Sequence, residues 1–143
     1  MIKEDLLEIG KLLQERCNYF KEIDSLTEQA QEAFGRNDTR VAAAVLSLRG
    51  EQMEQADICM EQVDALRGNL TAEKISALDR LMRAQSLTDE ALYSGFSEEE
   101  KEAATRIAAV VIRSRAILKE TIRKDRMMNQ RIAGKHTFYQ EKD

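Results

Sequence analysis

Proline and tryptophan are absent from this 143-residue chain, which holds only six glycines, two cysteines, one histidine and seven Phe or Tyr residues. Without proline nothing breaks a helix from within, and with so little glycine the backbone has few places to reverse. Ala, Leu, Glu, Gln, Lys, Arg and Met fill the space, and these are the strong helix formers. Strands are not expected. No stretch approaches the ~20 apolar residues that span a bilayer, and the first ten residues, MIKEDLLEIG, are charged and acidic rather than leader-like, so the cytoplasm is the default compartment. Cys17 and Cys59 fit no metal spacing and fall near apolar seam positions, as buried reduced thiols do. The length suits one domain with a real core.

Charge is scarce in net terms but unevenly spread. The whole chain carries −4. Residues 1–112 hold 13 basic and 22 acidic groups, whereas residues 113–135 hold 8 basic and 2 acidic ones. A basic C-terminal helix on an acidic body is the clearest electrostatic feature.

Apolar periodicity and punctuation divide the chain into four helices. The first is expected from about Ile2 to Phe34, with Leu6, Ile9, Leu13, Cys17, Phe20, Ile23, Ala30 and Phe34 facing inward. Gly35 stops it and Asn37 or Asp38 caps the second. The joint GRND is short, so the two helices fold back antiparallel. Helix two carries Val41, Val45, Leu48, Met53, Ala56, Met60, Val63 and Leu66 as its seam and ends at Arg67-Gly68-Asn69. Thr71 caps a shorter third helix with Ile75, Leu78, Leu81, Met82 and Leu92 inward. Gly95 ends that segment, and Ser97 with Glu100 reads as a capping box for helix four. Helix four is expected from about Glu98 to Ala133, ended by Gly134, with residues 135–143 a flexible tail outside the 1–134 domain. The fold class is therefore all-α: an antiparallel bundle of three to four helices with long first and last helices.

Helix four poses a question. Residues 107–112 are six consecutive apolar residues, which on a helix point in every direction. Its seam reads Ala104, Ile107, Val111, Ser114, Leu118, Ile122, Asp125, Asn129 and Ile132. Val110, Ile117 and Met128 widen it, and Ala109, Ile112, Ala116 and Met127 lie behind. Either helix four is a central helix wrapped by the others, or the rear residues form a groove for a partner helix. In the second case Ala109, Val110, Ile112, Ala116, Ile117 and Met127 make the contact, rimmed by the cations Arg113, Arg115, Arg123 and Lys124. The polar pair Asp125 and Asn129 marks a frayed end, a register-fixing layer or a site that bonds a partner's backbone. Met53, Met60, Met82, Met127 and Met128 serve as core filler or as an adaptable binding surface.

Catalytic chemistry finds no footing. The single histidine, His136, has no nearby Cys or Asp cluster, and no Gly-rich phosphate loop follows a strand. The reading is of a non-enzyme without metal or cofactor.

The long first helix, the GRND joint and the segment VLSLRGEQMEQ resemble the flagellar type III export chaperones of the FlgN and FliT kind. Asp38, Leu46, Leu48 and Arg49 stand at the matching places after the joint, and ILKETIRKDRMMNQRI followed by Thr137-Phe138-Tyr139 is similar to that family's last helix and end. The resemblance implies a cytoplasmic bodyguard. It would hold the C-terminal helical segment of a hook-associated or filament-cap protein, keep it from assembling early, and hand it to the export apparatus. Two other readings stand beside it. One is a nucleic-acid or anionic-surface binder using residues 113–135, expected to be weak and unspecific because phosphate contacts by cations fade steeply with salt. The other is a coiled-coil homodimerisation module.

Overall fold

The computed structural model describes residues 2–142, and the side chains of residues 2–130 and 132. Among them there are four α-helices and no strand: α1 (Ile2–Gly35), α2 (Thr39–Gly68), α3 (Ala72–Met82) and α4 (Lys101–Lys142), with a 3₁₀ turn at Glu90–Tyr93 between the last two. The joints fall where capping chemistry places them. Asn37 takes the left-handed backbone (φ 60) after Gly35, and the Asp38 carboxylate accepts from the Val41 N–H at 3.1 Å. Thr71 caps α3 by accepting from the Lys74 N–H at 3.3 Å. The Glu100 carboxylate reaches back to the Ser97 N–H at 2.8 Å, the return half of a capping box.

Three element boundaries differ from the expectation, one being the start of α4 at Lys101 rather than about Glu98. α3 ends at Met82 rather than running on toward Leu92, which instead is buried from within the 3₁₀ turn. α4 passes through Gly134 to Lys142. Glycine keeps its N–H, so within a helix it costs only about 1 kcal/mol and does not by itself terminate one. The side chains of 133–142, including His136 and Thr137 to Tyr139, lie outside the described residues.

α1 is the spine, and α2 and α4 pack along its two sides. Leu6, Ile9, Leu13, Cys17, Phe20, Ile23 and Ala30 are buried as their spacing requires, joined by Leu12, Leu26, Thr27 and Ala33. On α2 the inward residues are Ala42, Val45, Ala56, Cys59 and Val63, with Arg49 and Gln52 half-buried between them. This is a strict heptad stripe, 42-45-49-52-56-59-63, and it leaves Val41, Leu48 and Met53 exposed rather than in the seam. On α4 the stripe takes a step of three after Leu118. Thr121 and Met128 are consequently buried, whereas Ile122, Asn129 and Ile132 are exposed.

The main core sits at one end of the bundle, where α3 and the 3₁₀ turn cover Ile107, Ala108 and Val111 of α4 and Val63 of α2. Toward the α1–α2 joint the core shrinks to two smaller clusters, around Phe20, Ile23 and Ala56 and around Leu26, Ala30, Val45 and Met128.

Two glycines offer opposite tests of these elements. A Cβ on Gly50, mid-α2, would meet no atom within 4 Å. Gly50→Ala should therefore stabilise by about 1 kcal/mol, a rise of roughly 2–4 °C in melting temperature. Gly95 has φ +89, and its Cβ would sit 3.2 Å from that of Ala77. Gly95→Ala should lower the melting temperature. Differential scanning calorimetry reads both, and equal signs would refute this account.

Candidate functional site

No Cα of α2 comes within 8 Å of one in α4 among the described residues, although both helices lie along α1. The space between them is filled at one end by α3. Arg67 of α2 donates to Asp79 of α3 at 2.9 and 2.7 Å, and Met60 packs against the main core. From the other side, Arg115 of α4 donates to the Ala84 carbonyl at 2.6 Å, which fixes the C-terminal end of α3. Beneath that end lies a cavity of about 180 Å³ bounded by Leu13, Arg16, Met82, Ser114 and Leu118.

Past this point no helix among the described residues lies against both α2 and α4 except α1. Met53 lies one heptad before Met60 on the same face of α2, and Leu46 one heptad further. Ile122 lies one heptad beyond Arg115 on α4, with Leu118 and Asp125 beside it. Met53 is 40% exposed and Ile122 49%. The floor is α1, where Phe20 and Ile23 pack against Leu118 and Ile117. Gly50 on the α2 wall projects no side chain. Arg115, Lys119 and Arg126 stand beside Ile122 along a surface depression lined by α4 residues alone.

Polar layers bind this open half. Arg49 donates from Nη1 to Asp125 Oδ1 at 2.5 Å and to Thr27 Oγ1 at 3.1 Å, while the Thr27 hydroxyl donates to the Ile23 carbonyl at 2.7 Å. One residue from each long helix meets in this layer. A turn away, the Asp24 carboxylate accepts from the Thr121 hydroxyl at 2.8 Å and from Lys124 Nζ at 2.9 Å. The hydrogen bond to Asp24 is the largest cause raising the Lys124 pKa. Asp125 is thus the ion-pair partner of Arg49, whereas Asn129 is exposed.

The residues read from the sequence as one rear groove are separated by the fold. Ile112 packs half-buried against the main core, Ile117 spans the two core regions, and Val110 is buried. Ala109, Val110 and Arg113 border a different groove, between α1 and α4. Ala116, Arg123 and Met127 line the α4 depression whose edge toward α2 is Ile122. Lys124 is turned inward to Asp24 and Glu28, so it does not rim a groove. The methionines divide as well: Met128 is buried, Met60 and Met82 are half-buried, and Met53 and Met127 are exposed. Apolar periodicity places Ile122 and Met53 in seams and so hides the open position. The heptad of α2, which forces Arg49 inward, was the available signal.

Among the described residues no group of three or more His, Cys, Asp and Glu side chains could hold a metal ion, and no helix is long and apolar enough to cross a membrane. Cys17 and Cys59 are buried and unpaired, and burial raises the Cys59 thiol above its ordinary pKa. No family model, curated protein or solved structure matches the chain.

Proposed function

We propose that this protein is a non-catalytic chaperone that holds an amphipathic helix of a partner protein in the open position between α2 and α4. The observation that carries the reading is the pair Met53 and Ile122. Each is exposed one heptad beyond a residue that contacts α3 or packs in the core it covers. α3 supplies the template: its Ala77, Leu78 and Leu81 are buried in the main core with Val63 of α2 and Ile107 of α4. A partner helix with apolar residues at i, i+3, i+4 and i+7 would extend that packing. The exposed cations Lys119 and Arg126 beside Ile122 favour an acidic flank. The resemblance to the FlgN and FliT chaperones supports a narrower proposal, in which the partner helix is the C-terminal segment of a hook-associated or filament-cap subunit bound for the export apparatus.

The test is direct. Synthetic C-terminal peptides of the hook-associated and cap subunits from the same genome are titrated into the full chain by calorimetry. Micromolar or tighter binding with a gain of peptide helicity is expected for at least one. Failure of all of them would remove the flagellar assignment.

Nucleic-acid binding draws less support, because the fold engages three of the eight cations of the basic segment. Lys124 is paired with Asp24, Arg123 with Glu120, and Arg115 with backbone carbonyls. Binding to an oligonucleotide should therefore be weak and vanish with added salt. Retention of sub-micromolar affinity at physiological ionic strength, measured by fluorescence anisotropy, would reverse this ranking.

A further inference from the structure

We infer that a second copy of this chain docks its α2 outer face into the groove on the other side of α4, between α1 and α4. That groove encloses about 300 Å³ over a floor of Leu6, Gly10, Ala103, Ala109 and Val110. Gly10 and two alanines make it shallow-walled, so a helix can approach closely. Leu7 stands at its edge, 41% exposed. Lys11 on α1 and Arg106 and Arg113 on α4 rim it. Arg106 is shared with Glu102 and Arg113 touches Gln14 at 3.5 Å, while Lys11 has no ion pair among the described residues. The groove is apolar inside and cationic at both edges.

The complement lies on α2. Between Arg49 and Arg67 there is no basic residue, and Glu51, Glu54, Asp57, Glu61 and Asp64 are all exposed there. Ile58 sits in the middle of this acidic face, 43% exposed. Glu54 and Glu61 lie one turn before and one turn after it. An apolar knob between two carboxylates matches an apolar groove between cations. Glu54, Ile58 and Glu61 stand opposite the inward stripe of α2. Apolar contact would supply most of the attraction, and the charges would select the partner and its register.

The contact is heterologous: each copy offers both a knob face and a groove, so assembly continues beyond two copies unless a ring closes. Because exposed pairs are screened, it should weaken with salt.

Sedimentation velocity on the full chain tests this at low and high ionic strength. Concentration-dependent association at low salt, reduced by about tenfold at high salt, is expected. Arg106→Glu with Arg113→Glu should abolish it, and so should Glu54→Lys with Glu61→Lys, each protein retaining its helical circular dichroism. Mixing these two double variants should restore association, because every groove then meets a face of opposite charge. A wild-type chain that stays monomeric, or an association indifferent to both charge reversals, would overturn the inference. Failure of the mixture to reassociate would do so too.

Discussion

Lys74→Ala is expected to cost about 3 kcal/mol, which is a fall of roughly 6–12 °C in melting temperature. Lys74 Nζ donates to Glu100 Oε1 at 2.7 Å and to the Gly95 carbonyl at 2.6 Å, and it lies 5.5 Å from the Phe96 ring centroid. Both side chains are largely withdrawn from water, at 17% and 9% exposure. Removing the cation leaves a buried carboxylate with only the Ser97 N–H to answer it. The damage is chiefly a stranded charge, so adding Glu100→Gln to Lys74→Ala should recover part of the loss. A drop of less than about 1 kcal/mol would mean that solvent screens this pair as it does an exposed one.

The same pair gives a pH dependence of definite sign. Burial raises the Glu100 pKa, but the hydrogen bonds from Lys74 and Ser97, with the Lys74 charge, outweigh it and hold the folded value below the ordinary 4.5. A depressed folded value means that the unfolded chain binds the proton more readily. The stabilisation is therefore full above pH 4.5 and lost as pH falls through the folded value. Acid titration monitored by circular dichroism should show an acid transition that Lys74→Ala shifts upward.

Ile122→Glu is expected to weaken partner-helix binding more than tenfold while moving the melting temperature by no more than about 0.5 kcal/mol equivalent. Ile122 is half exposed in the free protein, so the charge costs little there. It becomes costly only when a helix covers the groove and takes its water away. Ile112→Glu, ten residues earlier on the same helix, should behave in the opposite way. Ile112 packs against the main core, and a glutamate there should cost roughly 1–3 kcal/mol of folding stability. Thermal denaturation and peptide calorimetry on both variants separate the roles. An Ile122→Glu protein that binds as tightly as the wild type would place the partner elsewhere and end the proposal for this groove.

Fold class and most joints were legible because their signals are local. Asp38, Thr71, Gly95 and the Ser97–Glu100 pair act on backbone within four residues of themselves, so neighbouring sequence suffices to find them. α1 was equally readable, since a helix buried along a wide stripe displays its apolar residues at every step. α2 was not. Its inward stripe includes Arg49, and apolarity alone rejected that residue in favour of Val41, Leu48 and Met53. Arg49 is tolerable there only because Asp125 and Thr27, 76 and 22 positions away in the chain, arrive to satisfy it. A single three-residue step likewise turned Thr121 inward in place of Ile122, where Asp24 of α1 accepts its hydroxyl.

The six apolar residues at 107–112 divide along the same line. The sequence by itself determined that this stretch is helical and more apolar than one interface requires. Only the tertiary structure decided that α1 takes Ile107 and Val110, that α3 and its following turn take the next face, and that helix four is covered at this end and open at the other. The cause is the length of α3. With only 11 residues against the 30 of α2, it fills the space between α2 and α4 for about a third of the length of α2 and leaves the rest uncovered.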